Sequence, residues 1–407
     1  MALWSRRHWL AVTAAGAAAV VTRRVPALAA PWVAPGRDSG EYEPWLEIDA
    51  GALRRNVAAL SRLVGGRPIL AVVKNNAYGL GLESVGPLLD PLPAVAGLAV
   101  VKAEEAMRLR DAGVRKPVLV MGLVSDEEGL ELARRDVRLA PFAQDAGIQL
   151  GRIAGRLGRA VPVHLYVDTG MNRLGMPHYR AAPWIKDLAA RREVAIEGTF
   201  MSFTEDLAFD PEQLARFRSL TDGLQASGVQ LGKLHAASSH GLFLRRDAYL
   251  DMVRPGLALY GAYPAGTPEL GLAPLTPAFR LKARVVDVQQ LRAGDSASYD
   301  RAYTAGKPTW IAIIPAGHAD GYPRAAVKGC QVLIRDRLYP VIAAVSASHT
   351  IVELGDQRTV DVGDVVTLVG PDRPEITPNG VAQRAGVSVY DILMHLSALL
   401  PKQVVEA

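Results

Sequence analysis

PILAVVKNNAYGLG, residues 68–81, is the stretch on which the reading of this chain turns. Ile69 to Val73 is a short apolar run, partly β-branched, and reads as a buried strand. Lys74 follows at once. Asn75, Asn76, Tyr78, Gly79 and Gly81 then supply the residues of a turn that leads into a helix. A lysine at the carboxyl end of a parallel strand faces the working end of an α/β barrel, not its packed base. An ammonium kept out of water there gives up its proton readily and can bond covalently to an aldehyde. A lone lysine of this kind reads more simply as a solvated strand end; its neighbours carry the stronger signal.

Outward from this stretch, strands and helices alternate. The strands are WLEIDA (45–50), the lysine strand, GLAVV (97–101), VLVMG (118–122), a run around 137–141, VPVHLYVDT (161–169), IEGTFMSF (196–203) and KLHAAS (233–238). The helix after the first carries Leu53, Val57, Leu60 and Val64 on one stripe. Eight strands with intervening helices predict a (β/α)8 barrel over residues 45–275. From Phe279 the pattern becomes strand after strand, separated by turn signals such as Ala293-Gly294-Asp295 and Gly363-Asp364, which predicts a C-terminal all-β domain over 276–407.

The amino terminus is separate from both. SRRHWL precedes an apolar run from Leu10 to Val21 and then Ala27-Leu28-Ala29, the layout of an export signal over 1–30, with a linker over 31–44. The run is too short to span a bilayer, which takes roughly 20 residues. Arg6-Arg7 followed by Trp9 and Leu10 has the form of a twin-arginine signal, which predicts a periplasmic protein with no stable membrane insertion after cleavage. An uncleaved anchor is the alternative, given Arg23-Arg24 after the run. The net charge of +5 owes four charges to arginines in this acid-free leader, leaving about +1 for the rest and no basic surface for nucleic acid. Cys330 is the only cysteine, so no intrachain disulfide can form.

VVKNNAYGLG resembles the pyridoxal-phosphate (PLP) lysine motif of the alanine racemase family, and the resemblance extends over residues 45–400. It implies a barrel followed by a β domain, PLP as cofactor and a homodimer with shared active sites. Lys74 would carry PLP and Tyr78 would reach its phosphate. DTGMNRLGM (168–176) is similar to the family segment whose arginine supports the carboxylate side of the site, here Arg173. An arginine fork can grip a carboxylate with two parallel hydrogen bonds. HAASSHG (235–241) places Ser239 at the phosphate. In MVRPGLALYG (252–261), Arg254 would face the pyridine nitrogen, while Gly256 and Leu257 offer backbone N–H groups to the phosphate. SYDRAYTA (298–305) makes Tyr299 the second base, acting across the dimer interface on the face opposite Lys74. SVYDILM (388–394) adds Tyr390 as a phosphate ligand.

The chain departs from the family pattern at several places. Ser202 replaces a histidine, Tyr166 a lysine, His318 a tyrosine, Ala347 a methionine and Ser348 an aspartate. Ala347 still offers the substrate carboxylate its backbone N–H. Small changes of pocket shape are each worth only ~1–3 kcal/mol of discrimination, so several together broaden substrate choice. The leading expectation is an isomerase: an exported amino-acid racemase for alanine or a wider set. Two alternatives are another PLP reaction on an amino acid (decarboxylation, dehydration or isomerisation) and a non-catalytic PLP-binding homologue. No metal-ligand cluster is evident in the sequence.

Overall fold

The computed structural model describes residues 43–267 and 270–406. The predicted leader and almost all of the linker lie outside the described residues. Strand β1 (Trp45–Asp49) runs into a helix over Ala50–Leu63, started by Asp49, whose carboxylate accepts from the Ala52 N–H at 2.7 Å. Leu53, Val57, Leu60 and Val64 are all buried, as their spacing predicts.

A parallel sheet follows in chain order: β2 (Ile69–Val72), β3 (Val95–Val100), β4 (Val118–Val120), β5 (Val137–Leu139) and β6 (Val161–Asp168). After the two-residue β7 (Met176–Pro177), laid against β6, come β8 (Val194–Phe200) and β9 (Lys233–His235). Helices alternate with these strands, among them Leu82–Leu89, Ala103–Asp111, Asp126–Arg134 and Asp210–Ala226. Met252 and Val253 close the ring. Met252 bridges His235 of β9 and Val253 bridges Ile69 of β2, both in parallel. The Leu70 N–H donates to the Val253 carbonyl at 2.8 Å and the Arg254 N–H to the Ala237 carbonyl at 2.8 Å.

The barrel therefore holds eight positions, but not the eight that the sequence reading named. WLEIDA is not a barrel strand, and the eighth position belongs to the Met252–Val253 bridge. The reason is periodicity. Barrel strands are buried on both faces and read as unbroken apolar runs, as β2 does. In β1, Leu46 and Ile48 are fully buried, while Glu47 between them pairs with Lys282 at 2.9 Å. That alternation belongs to a sheet with one wet face.

β1 lies instead in a nine-stranded sheet built mainly from the C-terminal half. Its other members are β10 (Phe279–Arg284), β11 (Asp287–Leu291), β14 (Thr309–Ile314), β15 (Gln331–Ile334), β16 (Arg337–Ile342), β17 (Thr350–Gly355), β18 (Val365–Val369) and β19 (Lys402–Val405). The short β12 (Ser296–Ala297) and β13 (Tyr303–Thr304) form a separate hairpin. β1 pairs antiparallel with β10 and parallel with β19. The C-terminal half also carries two short helices, Pro378–Ala385 and Val389–Met394. One apolar core runs from the barrel into this sheet. No helix among the described residues is long and apolar enough to cross a membrane.

Candidate active site

Lys74 leaves the carboxyl end of β2 and enters a turn of unusual hand. Asn75, Asn76, Ala77 and Tyr78 have φ of 54, 55, 53 and 55°, four consecutive residues in the left-handed region. Each such residue costs an L-amino acid roughly 1–2 kcal/mol, least for asparagine. The two asparagines are thus a local adaptation of sequence to backbone. The rest of the cost is met by neighbours. Buried Glu105 accepts the Asn76 N–H at 3.1 Å and, with its other oxygen, the N–H groups of Val101 and Lys102 at 3.3 and 3.2 Å. Arg108 donates to the Asn76 side-chain oxygen at 2.8 Å. Gly79 ends the turn at φ 89°, where a Cβ would strike the Leu393 carbonyl at 2.5 Å.

The lysine opens onto a cavity of about 670 Å³. Its Nζ makes no hydrogen bond among the described residues. Burial holds its proton affinity below the ordinary lysine value, helped by the charge of Arg173 and partly opposed by Glu105 and Glu205. A lysine so placed reaches the neutral, nucleophilic form more easily than a solvated one.

Arg254 lies buried at the cavity floor. It stacks on Phe200, with the guanidinium carbon 5.1 Å from the ring centre, and donates to the Met201 and Ala236 carbonyls at 2.7 and 3.2 Å. Its Nη1 lies 2.9 Å from His235 Nδ1, and His235 Nε2 lies 2.8 Å from His164 Nδ1. Arginine can only donate, so His235 Nδ1 accepts, its proton sits on Nε2, and His164 Nδ1 accepts in turn. Burial holds both imidazoles neutral, aided by the charges of Arg138 and Arg254 at His164, which falls to about 4, and by Arg254 at His235, which falls well below its usual value. Burial lowers Arg254 to about 10, which leaves it charged at neutral pH. A charged, donor-only group thus faces the cavity with no spare proton to release.

This pair of histidines sets a pH limit on stability. Their folded values lie below the unfolded value near 6.5, so the stability they lend is complete above pH 6.5 and drains as pH falls towards about 4. For His164 the loss is on the order of 3 kcal/mol. Urea unfolding of the protein at pH 7 and pH 4.5 is expected to show this fall. His164→Asn should flatten it.

Two departures from the family pattern meet here. The Tyr166 hydroxyl donates to Ser202 Oγ at 3.1 Å, and the Tyr166 ring stacks on Phe200 at 4.3 Å. The two positions thus form one hydroxyl pair.

The opposite end of the cavity is built to hold an anion. Ser239 Oγ accepts the Gly256 N–H at 3.0 Å and the Ala258 N–H at 3.1 Å. With its acceptor capacity used, its hydrogen is left to donate. The expectation that the Gly256 N–H faces a phosphate is therefore corrected: that N–H is already held by Ser239. Leu257 begins a short 3-10 turn, where the N–H has no intrahelical partner. Gly256 has a further reason to be glycine, since a Cβ would lie 2.2 Å from the Tyr78 hydroxyl. Tyr78 packs on Tyr260 at 4.9 Å and on Tyr390 at 6.4 Å. Burial keeps these phenols protonated, Tyr390 pushed up to about 12 and Tyr78 higher, so both remain donors. These donors and the unbonded Lys74 fit a phosphorylated aldehyde such as PLP.

Arg173 reaches the same cavity from the loop after β6. The Asp168 carboxylate shapes that loop by accepting the N–H groups of Gly170, Met171 and Asn172 at 2.9 to 3.1 Å. Tyr299 and Ala347 are not in the cavity of their own chain. Tyr299 is 74% exposed, and Ala347 and His318 are also exposed. Sequence reading missed Glu105, His164, His235 and Asp168. His164 and His235 lie on separate strands, and nothing in their spacing pairs them. No group of His, Cys, Asp or Glu among the described residues could hold a metal ion.

Residues 48–264 match the family described as "Alanine racemase, N-terminal domain" and residues 278–404 match "Alanine racemase, C-terminal domain". An alanine racemase of Symbiobacterium thermophilum is 38% identical over 89% of this chain and 97% of its own length. One of Methanococcus maripaludis is 32% identical over 88% and 97%. Among solved structures, alanine racemase of Clostridium difficile 630 superposes with a TM-score of 0.83 at 28% identity, covering 90% of this chain and 96% of that one. The enzyme of a D-cycloserine-producing Streptomyces lavendulae gives 0.83 at 29% identity, over 90% and 98%.

Proposed function

The chain belongs to the alanine racemase family of PLP-dependent isomerases, and from that premise we propose that it racemises alanine and a wider set of amino acids as a homodimer with shared sites. The observation that carries the reading is Lys74: an unbonded amine of lowered basicity, held by a strained turn in the cavity that also contains Arg254, Ser239, Tyr78 and Tyr390.

Lys74 would bond the cofactor, Ser239, Tyr78, Tyr390 and Leu257 would hold its phosphate, and Arg254 its ring nitrogen. When bound, PLP supplies an electron-withdrawing ring that makes the substrate α-proton acidic. Arg254 keeps its own proton and so leaves that nitrogen unprotonated, which tempers electron withdrawal and favours return of the proton to the α-carbon. Arg173 offers two parallel donors to the substrate carboxylate. Lys74 Nζ holds or gives up a proton on one face of that carbon. The other face needs a second base, because one fixed group cannot reach both. Tyr299 suits this role in the site of a second copy, and its exposure in its own chain supports the reading. Ala347, also exposed, would bring its backbone N–H to the same carboxylate.

The test is a panel of single amino acids incubated with the cofactor-loaded protein in deuterated water. Loss of α-hydrogen with alanine and with several larger amino acids is expected, without release of carbon dioxide or ammonia. Exchange with none of them sinks the reading, and gas or ammonia release moves it to a different PLP reaction. The leader supports export through the twin-arginine route. Arg6→Lys with Arg7→Lys is expected to leave the protein inside the cell, as read by fractionation.

A further inference from the structure

Three basic side chains and one carboxylic acid line the cavity: Lys74, Arg173, Arg254 and Glu205. Glu205 is the one acid among them, and it lies on the exposed part of the lining, held there by the backbone of its loop. Its φ is 65°, a left-handed conformation that glutamate adopts at a cost. The loop that imposes it is fastened by Gln213, which is fully buried. Gln213 accepts from both the N–H and the hydroxyl of Thr204, at 2.8 and 3.0 Å, and donates to the Ser202 carbonyl at 3.3 Å. The Glu205 carboxylate accepts from Ser238 Oγ at 3.3 Å, beside the serine that faces the anion end. No cation among the described residues forms an ion pair with it. Its charge is nevertheless felt across the cavity, where it raises the proton affinity of Lys74, Tyr78 and Tyr390.

An amino acid brings a carboxylate to this cavity, and the cofactor brings a phosphate. Both are anions, and Arg173 and Arg254 are there to answer them. A further carboxylate with no counter-ion serves neither. Alanine brings one positive charge, its α-ammonium, which is given up on bonding to the cofactor; only a substrate with a cationic side chain keeps a positive charge for this carboxylate. We propose that Glu205 is a specificity-determining residue that receives the cationic side chain of a basic amino acid. Lysine, arginine and ornithine are the class it selects. The proposal rests on the racemase reading above and names a preferred substrate class within it.

The decisive comparison is lysine against norleucine, which has the same chain without the terminal charge. With cofactor-loaded native protein, lysine is expected to have the higher kcat/KM. In Glu205→Gln that preference should fall by about tenfold, the scale of one charge pair at a partly wet site. In Glu205→Lys it should invert. In the native protein the preference should also shrink as salt rises from about 0.01 M to about 1 M, since the screening length shortens from ~30 to ~3 Å. Equilibrium affinity for the two amino acids, read from the cofactor absorbance, should follow the same order. An unchanged lysine-to-norleucine ratio in Glu205→Gln overturns the proposal. So does a change confined to cofactor affinity, which would mean that the carboxylate acts on the phosphate alone. Because affinity is measured apart from turnover, the role of Glu205 stands or falls even if no α-proton is exchanged.

Discussion

Lys74→Ala will abolish the absorbance that bound cofactor adds above the aromatic band, and with it all racemase activity. The effect should exceed the roughly 10²–10⁴-fold that removal of a general base alone produces, because the same nitrogen anchors the cofactor. The physical basis is local. The Lys74 amine has no hydrogen bond among the described residues and is held below its usual basicity mainly by burial. The left-handed turn does not depend on the lysine side chain, since it is fastened through Asn76, Glu105 and Arg108. The variant should therefore fold, with a circular dichroism spectrum and a melting temperature close to those of the cofactor-free native protein. Borohydride should trap an adduct with the native protein and none with the variant. A coloured, trappable Lys74→Ala protein would place the covalent bond elsewhere and remove the centre of the proposed chemistry.

The second large effect concerns Tyr299. Tyr299→Phe should keep the cofactor colour yet lose about 10²–10⁴-fold in activity, the usual worth of a positioned acid or base. The result that separates a shared site from a private one comes from mixing. Each variant alone is inactive, but a hybrid dimer of Lys74→Ala and Tyr299→Phe subunits has one site with both lesions and one with neither. Random exchange of subunits makes half of the dimers hybrid, so mixed protein should recover roughly a quarter of native activity. If each chain supplied both bases to its own cavity, mixing would restore nothing. The exposure of Tyr299, 74% in its own chain, is the reason to expect recovery.

Much of this was legible in the order of residues. The lysine strand, its asparagine- and glycine-rich turn and the arginine loops are local features, and local chemistry writes them into short strings. The shift from alternating helices and strands to strands alone, near Phe279, was legible for the same reason. What could not be read was which distant groups meet. His164 and His235 become partners only because β6 and β9 both flank β8 in the barrel. Tyr166 and Ser202 look like two separate losses along the chain, and only the fold makes them one hydrogen bond. The placement of β1 was a different kind of miss. Its alternation of Leu46 and Ile48 with Glu47 marks a one-sided sheet, while its place directly before a helix mimics the first strand–helix pair of a barrel.

The pairing of β1 with β19 ties the earliest and latest strands together. β1 rests between β10 and β19, and the Leu46 N–H reaches the Pro401 carbonyl at 2.9 Å. During synthesis β1 therefore stays open on one edge until residues 402–405 have been made and laid beside it. A polypeptide stopped short of residue 402 would leave that edge of β1 unpaired, an open template for another strand.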